Sequence, residues 1–230
     1  IVEVLESFFN QQLDLKGKKV LITAGPTYEK IDPVRFIGNY SSGKMGYALA
    51  EECASRGAEV ILVSGPVTLK EHHPNIRRID VESAEEMYEE ARRAYTDADA
   101  GILCAAVADF TPDHTADHKI KRGKDGMTIQ LKPTKDIAAS LGATKKEGQV
   151  LVGFALETND EQQNAKGKLE RKNFDFIVLN SLNDKGAGFR VDTNKISIID
   201  RQDTTSYPLK NKSEVAKDII DRLVQTLNKN

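Results

Sequence analysis

The chain has 230 residues, of which 39% are hydrophobic and 30% are charged, and its formal net charge at pH 7 is −2. This length supports a sizeable hydrophobic core, and the composition is typical of a globular protein. The near-balanced charge argues against a general nucleic-acid binder, and no apolar run approaches the roughly 18 residues of a membrane span. The sequence shows no signal peptide, and its two cysteines lack metal-type spacing, so we expect a cytoplasmic protein with reduced thiols.

Strand and helix signals alternate along most of the chain. Residues 1–16 are predicted to be a leader helix or an interdomain linker, and residues 17–230 a single domain. Short apolar runs predict strands at residues 18–23, 60–63, 76–81, 100–105, 127–131, 150–154 and 176–179. Helices are predicted at residues 47–54, after a capping box at Ser83, after a cap at Thr134, at residues 160–172, and from a cap at Ser213 to residue 227.

This order predicts an α/β fold, in which a Rossmann-like, doubly wound and mostly parallel sheet has helices on both faces. Residues 195–199 and 206–209 predict a C-terminal antiparallel hairpin that extends the sheet.

A long, glycine-punctuated polar loop joins the first predicted strand to the first predicted helix of the domain. It spans residues 24–46, well beyond the usual two to roughly six residues of such a connection. The first helical turn carries backbone N–H groups without intrahelical partners at the positive end of the helix dipole. Ser41, Ser42 and Gly43 therefore frame a predicted anion site, and the loop indicates a phosphorylated ligand.

Three motif interpretations compete for this loop. Gly38 and Lys44 delimit the GxxxxGK of a P-loop, but Met45 stands where that motif needs a hydroxyl for Mg²⁺. Tyr40 and Lys44 have the YxxxK spacing of some NAD(P) enzymes, yet the sequence contains no GxGxxG. Asn39 begins an N-glycosylation sequon, which requires secretion.

Ligands of doubly wound sheets bind outside the carboxyl ends of the strands, so residues that follow different strands should converge. Asn39 follows the first strand, Ala106, Asp109 and the more distant Lys119 follow the strand at 100–105, and Phe154 ends the strand at 150–154. Carboxylate, lysine and amide groups together suit an enzyme that acts on phosphorylated substrates.

Six short motifs carry a resemblance to a known family. In chain order they are TAGPT at 23–27, DPVRFI at 32–37, NxSSGKMG at 39–46, SGPV at 64–67, AAVAD at 105–109 and KIK at 119–121. With these motifs the sequence resembles the phosphopantothenate–cysteine ligases, the synthetase domain of the bifunctional coenzyme A enzymes. The resemblance runs from about residue 17 to the final helix, and the motifs are specific as a set.

The resemblance implies a ligase that joins 4′-phosphopantothenate to L-cysteine. CTP would activate the carboxylate as an acyl-cytidylate with loss of pyrophosphate, and the amine of cysteine would then displace CMP. The expected product is 4′-phospho-N-pantothenoyl-L-cysteine, and Mg²⁺ is expected on the triphosphate, possibly near Asp109. A homodimer is also implied, for which the hairpin near Ile196 and Ile198 is a candidate surface, together with a fused flavin-dependent decarboxylase domain.

Site residues carry over motif by motif. Asn39 matches the catalytic asparagine of the family, and Lys119 the first lysine of its KxKK motif, whose last position is Arg122 here. The predicted nucleotide-binding residues are Leu103, Cys104, Ala105, Asp109, Lys119, Lys132, Pro133, Thr134, Lys135, Phe154, Lys168 and Lys172. The predicted phosphate-binding or phosphopantothenate-binding residues are Asn39, Ser41, Ser42, Gly43, Ala105 and Ala106.

Each assignment has a structural alternative. Asn39 is also a plausible helix cap, Asp109 and Lys119 are ordinary loop charges, Phe154 is an ordinary core aromatic, and Lys168 with Lys172 suits a solvated helix face. Two other functions stay open from sequence alone. One is an NAD(P)-dependent oxidoreductase of the same fold, and the other is a phospholigand-binding module without catalysis.

Overall fold

The computed structural model describes residues 13–122, 126–157, 160–181 and 191–229. The leader segment predicted for residues 1–16 falls largely outside these ranges. None of the helices that the structure describes combines the length and the apolar character that a bilayer crossing needs.

The described residues form an α/β sandwich around a central sheet. The strands are β1 Lys19–Ala24, β2 Tyr28–Lys30, β3 Phe36–Gly38, β4 Glu59–Ser64, β5 Ile76–Asp80, β6 Ala100–Leu103, β7 Phe110–Pro112, β8 Leu131–Pro133, β9 Val150–Glu157, β10 Phe176–Ser181, β11 Thr193–Ile199 and β12 Thr204–Asn211. The helices are α1 Lys44–Ser55, α2 Ala84–Tyr95, α3 Ile137–Thr144, α4 Glu161–Arg171 and α5 Lys212–Leu227.

The main sheet has the order β12-β11-β10-β9-β6-β1-β4-β5. All pairs from β5 to β10 are parallel, whereas β11 and β12 run antiparallel at the far edge. The predicted doubly wound sheet with an antiparallel hairpin is therefore confirmed. The strand order reverses between β1 and β6, which is where such folds bind ligands.

The apolar runs of the sequence are buried on both faces of the sheet. Val20, Leu21 and Ile22 of β1 are each 0% exposed. Val20 and Ile22 pack in one core with α1 and α5, while Leu21 packs in the other with α2, α3 and α4. Successive side chains of a strand point to opposite faces, so a strand covered by helices on both sides must be apolar throughout.

Two predicted helix caps and one predicted strand are wrong. Residues 127–130 are not a strand, because the strand begins at Leu131 and pairs with β7 in a separate two-stranded sheet. The cap of α3 is Asp136, whose carboxylate accepts from Ala139 N–H at 2.8 Å, whereas the Thr134 hydroxyl donates to Ala108 O at 2.7 Å. Tertiary contacts of Thr134 thus replace the local capping role that its position suggested.

The terminal helix also begins earlier than predicted. Asn211 rather than Ser213 is its N-cap, and the Asn211 N–H donates to Glu214 Oε2 at 3.2 Å. The hairpin that precedes it is confirmed, but Ile196 and Ile198 are only 2% and 0% exposed because they pack in the core that includes α5. These two side chains therefore belong to the core, and a dimer surface on this hairpin, which stays a prediction, would have to use its other residues.

Candidate functional site

The site is built on a link between the loops that follow β1 and β6. The Cys104 N–H donates to Thr23 O at 3.2 Å, and the Ala105 N–H donates to Thr23 Oγ1 at 3.3 Å. One residue further on, the Ala106 N–H donates to Gly25 O at 2.9 Å. Hydrogen bonding between β1 and β6 thus continues past the ends of the strands and into the AAVAD motif.

Thr27 completes this link from inside the protein. It is fully buried, its backbone N–H donates to Ala106 O at 3.3 Å, and its Oγ1 accepts from Ala108 N–H at 2.9 Å. Buried polar groups need such partners, so the threonine of TAGPT and the AAVAD backbone satisfy each other.

Gly65, which follows β4, allows the TAGPT loop to lie where it does. Its N–H donates to Ala24 O at 2.9 Å, and a Cβ placed on it would overlap the Pro26 carbonyl oxygen. Only glycine lets two backbones approach so closely. The SGPV motif therefore supports the TAGPT loop from its other side.

Asn39 is held against the same backbone. Its Nδ2 donates to Ala106 O at 3.0 Å and to Val107 O at 3.3 Å. Carbonyl oxygens only accept, so the amide nitrogen must be the atom that faces them. The Asn39 side chain is thereby oriented, and its Oδ1 acceptor is the group left to contact a ligand.

A large cavity of about 690 Å³ opens at the carboxyl ends of β1, β6 and β9. Asn39 and Ala106 lie in its wall, and it is closed on one side by the start of α3 and by α4. It brings together these predicted nucleotide-binding residues: Leu103, Ala105, Asp109, Thr134, Lys135, Phe154, Lys168 and Lys172. The N–H groups of Cys104 and Ala105 already bind Thr23, so a base would meet the carbonyl oxygens of this stretch.

The lysines of the large cavity are balanced by carboxylates. Lys172 contacts Asp136, and burial lowers the pKa of Lys172 while the charge of Asp109 opposes that effect. Lys135 lies 2.5 Å from Glu85 and 4.7 Å from the centre of the Tyr88 ring, and the hydrogen bond with Glu85 raises the pKa of Lys135. These carboxylate contacts fix the positions of both lysines, so the cations would already be in place when a polyphosphate binds.

A small cavity of about 140 Å³ lies beside the large one, under the N-terminus of α1. Ser41, Ser42 and Gly43 line it, and the Gly43 N–H donates to Ser41 Oγ at 3.3 Å. Gly43 has a φ of 76°, a conformation that favours glycine. The predicted anion site of the loop is thus a wall of this cavity.

The two cavities share a boundary at Ala105, Ala106, Phe154 and Leu156. Phe154 is half-buried and faces both. Because Asn39 is bonded to the backbone at this boundary, its amide lies where the reacting ends of two bound molecules would meet. This juxtaposition is what a group transfer between two substrates requires.

Some predicted site residues lie elsewhere. Cys104 lines the small cavity rather than the large one, and burial raises the pKa of its thiol to about 12. Lys132 and Pro133 line a different surface groove, where Lys132 lies 3.5 Å from Asp113. Lys119 is exposed and lines neither cavity.

The segment that carries Lys119 is nevertheless held by the DPVRFI motif. The buried Asp32 carboxylate accepts from Ile120 N–H at 3.1 Å, and Arg35 donates to Ile120 O at 3.0 Å. The Arg35 guanidinium holds the pKa of Asp32 well below its ordinary value. Asp32 therefore stays ionised and keeps the backbone beside Lys119 in place.

The sequence analysis missed several polar residues of the small cavity. They are Lys44, Asn180, Asn194 and Lys212. Asn180 follows the apolar run of β10, so the rule that ligands bind after parallel strands could have found it. Asn194 and Lys212 come from the antiparallel edge, to which that rule does not apply.

The fold and the paired cavities define a doubly wound α/β protein with two adjoining cavities at its topological switch point, which is where this class of protein binds small molecules. The model of the DNA/pantothenate metabolism flavoprotein C-terminal domain family matches residues 15–227, and the chain belongs to this family.

Similar proteins include bifunctional coenzyme A biosynthesis proteins. The chain is 47% identical over 226 residues to the CoaBC protein of Bacillus subtilis (strain 168). The aligned region covers 97% of this chain and 55% of that protein. The chain is 56% identical to a protein named cysteine/cysteine sulfinic acid decarboxylase from an unknown prokaryotic organism, over 97% of this chain and 64% of that protein. The chain thus spans little more than half the length of these relatives.

A solved structure supports the same relationship. The crystal structure of the C-terminal domain of a coenzyme A biosynthesis bifunctional protein CoaBC superimposes with a TM-score of 0.80 at 41% sequence identity. The match covers 94% of this chain and 99% of that one.

We expect Gly65→Ala to disturb the site through the TAGPT loop. The new methyl group would displace the Pro26 carbonyl, which should lower the free energy of unfolding by about 1–3 kcal/mol. Chemical denaturation measures this. Gly126→Ala, where an added Cβ meets nothing within 4 Å, is the control and should change stability by less than about 0.5 kcal/mol. Equal stability of both variants would contradict the close approach.

Proposed function

We propose that this chain is a ligase that joins 4′-phosphopantothenate to L-cysteine, using CTP and releasing CMP and pyrophosphate. The observation that best supports this proposal is that the two cavities share a boundary. The side chain of Asn39 is hydrogen-bonded to the protein backbone at that boundary. Family membership supports the assignment, as do the names of the relatives that act in coenzyme A biosynthesis. The product would be 4′-phospho-N-pantothenoyl-L-cysteine.

The first step would form an acyl-cytidylate. A carboxylate oxygen of the acid attacks the α-phosphorus of CTP, and the bond to pyrophosphate breaks. The large cavity suits the nucleotide because Lys168 and Lys172 line it beside Asp109, and Phe154 offers a ring surface for the base. The small cavity suits the phosphorylated acid, with Ser41, Ser42 and Gly43 beside its phosphate.

The second step would transfer the acyl group to cysteine. The amine nitrogen attacks the carbonyl carbon, CMP leaves, and the amine loses a proton. We assign Asn39 the role of an acceptor in this step, because its N–H groups are directed at Ala106 O and Val107 O. Its Oδ1 would orient an N–H of the attacking amine, which is a positioning effect.

Magnesium is the expected metal ion. Among the described residues no three acidic, histidine or cysteine side chains form a metal-binding cluster. Asp109 is a carboxylate in the wall of the large cavity, and one carboxylate suits an ion that triphosphate oxygens mostly hold. Asp109 is therefore the protein group that we propose would bind the magnesium ion. When bound, the ion would neutralise the charge that develops on the departing pyrophosphate.

Further parts of the assignment concern the whole protein. We propose that residues 17–230 act as one ligase domain in the cytoplasm, as a homodimer, and that a flavin-dependent decarboxylase is fused to it. The bifunctional name of the Bacillus subtilis relative supports the fusion.

Lys119 keeps its proposed catalytic role near the triphosphate, on a segment that Asp32 positions. Lys132 and Pro133 stay proposed nucleotide contacts.

We expect pyrophosphate release that depends on both CTP and 4′-phosphopantothenate. A coupled phosphate assay measures it, and product formation should further require L-cysteine. Replacing CTP by ATP in the same assay tests the base preference. Folded protein that releases no pyrophosphate with any nucleotide would contradict the proposal and leave a phospholigand-binding module. Oxidation of NAD(P)H would instead indicate the oxidoreductase alternative.

We expect Asn39→Asp to slow the second step more than the first. A carboxylate cannot donate to Ala106 O or Val107 O, so the side chain loses its orientation and cysteine ligation should fall about 10²-fold. Rapid-quench kinetics should still show one equivalent of pyrophosphate per active site. Asn75→Asp, at an exposed position outside both cavities, is the control. An unchanged ligation rate would rule out the role of Asn39.

We expect Lys168→Gln and Lys172→Gln to weaken nucleotide binding. Each removes one cation from the large cavity, which should raise the KM for CTP roughly 10- to 150-fold, because a charged hydrogen bond contributes about 1.5–3 kcal/mol. Steady-state kinetics at saturating phosphopantothenate measures this. Lys166→Gln removes an exposed charge from the same helix outside the cavity and should leave the KM unchanged. Equal effects of Lys166→Gln and Lys168→Gln would contradict the nucleotide assignment.

A further inference from the structure

One carboxylate joins two walls of the large cavity. Asp136 precedes α3 and lies in the cavity wall. Its Oδ1 accepts from Ala139 N–H at 2.8 Å and caps α3, while its Oδ2 contacts the ammonium group of Lys172. Lys172 is the C-cap of α4 and lies in the same cavity wall. A single side chain therefore links the start of α3 to the end of α4.

The backbone of Lys172 is also held against α3. A Cβ placed on Gly142 of α3 would overlap the Lys172 carbonyl oxygen, so this close approach requires glycine. The next residue, Asn173, has a φ of 51°, and its Nδ2 donates to Gly142 O at 3.0 Å. The C-terminal half of α3 thus fixes the backbone of Lys172, and Asp136 at the other end of α3 fixes its ammonium group.

The ammonium group of Lys172 needs a carboxylate at this position. The Lys172 side chain is only 23% exposed, and burial lowers its pKa. The group also lies beside the N-terminus of α3, whose N–H groups carry partial positive charge. The negative charge of Asp136 offsets both effects. Asp109 also acts on Lys172, but the proposed function assigns that carboxylate to the magnesium ion.

The contact with Asp136 also restricts the conformations of Lys172. A lysine side chain is long and flexible, and it loses rotamer freedom when a ligand immobilises it. A lysine whose ammonium group is already held loses less of this freedom, so the ligand binds more tightly. Both oxygens of Asp136 are engaged by protein groups, so its effect on a ligand would pass through Lys172.

We propose that Asp136 is a positioning residue for the nucleotide. It holds the ammonium group of Lys172 at the large cavity before the nucleotide binds. The effect is confined to the nucleotide, because neither side chain is among the residues that line the small cavity. This inference rests on the proposed function, which places the nucleotide in the large cavity.

Asp136→Asn tests this role and keeps the helix cap, because asparagine caps helices as well as aspartate but carries no charge. The Kd for CTP, measured by isothermal titration calorimetry, should rise about 3- to 10-fold. The KM for 4′-phosphopantothenate in the pyrophosphate assay should stay unchanged. Asp218→Asn is the matched control, because it removes a carboxylate that contacts Lys210 outside both cavities, and it should change neither value.

A double-mutant cycle tests whether Asp136 acts through Lys172. Adding Asp136→Asn to Lys172→Gln should change the Kd for CTP less than about 2-fold, because the side chain that Asp136 positions is already absent. A purely structural role of Asp136 would instead weaken binding by the same factor in both backgrounds. That result would contradict the inference.

Two further variants separate positioning from folding. Asp136→Ser also keeps a capping side chain without charge, so it should raise the Kd for CTP as Asp136→Asn does. Asp136→Ala removes the cap as well, and it should lower the melting temperature, whereas Asp136→Asn and Asp136→Ser should not. Thermal unfolding of each variant measures this.

The outcomes distinguish this inference from the proposed function. If wild-type protein binds CTP and releases pyrophosphate, but Asp136→Asn and Asp136→Ser bind CTP as tightly as wild type or more tightly, the inference is wrong and the proposed function stands. If wild-type protein neither binds CTP nor releases pyrophosphate, both are wrong. A rise in the Kd for CTP that disappears in the Lys172→Gln background supports the inference.

Discussion

The carbonyl oxygen of Ala106 is the point on which the site depends. It accepts from the Thr27 N–H at 3.3 Å and from Asn39 Nδ2 at 3.0 Å, so one backbone atom joins the loop after β1 to the loop after β6. These loops diverge at the switch point of the sheet, and without a tie between them the space at their ends would have no defined shape. The same bonds orient the amide of Asn39 at the boundary of both cavities.

This arrangement gives the two cavities different electrostatic characters. The large cavity takes its cations from α4 and from the start of α3. Lys172 contacts Asp136 in the same wall, and Lys135 contacts Glu85 of α2. The small cavity combines the N-terminus of α1 with the buried Lys212 of the antiparallel edge. In the proposed reaction a nucleotide and a phosphorylated acid would bind side by side, because each polyanion would meet its own set of positive groups.

Much of the site was accessible from the sequence because it follows parallel strands. Asn39 lies in the long connection between β1 and α1, Ala105 and Ala106 follow β6, and Phe154 lies within β9. The rule for doubly wound sheets places these positions together. Lys132 differs because it belongs to β8, a short strand that pairs with β7 outside the main sheet. Its pairing partner is Thr111, which lies 21 residues earlier in the chain, and no local pattern encodes such a contact.

The sequence alone determined the class of fold, and it singled out the loop at residues 24–46 and Asn39 as a predicted phosphate-binding site, because these depend on local periodicity and on motifs with a direct physical role. Only the tertiary structure showed that the Asn39 amide is bound to Ala106 O and Val107 O, that Thr134 bonds Ala108 O instead of capping α3, and that Ile196 is buried. It also brought Lys212 to the small cavity. These are contacts between segments far apart in the chain, and they are decided by packing rather than by local sequence.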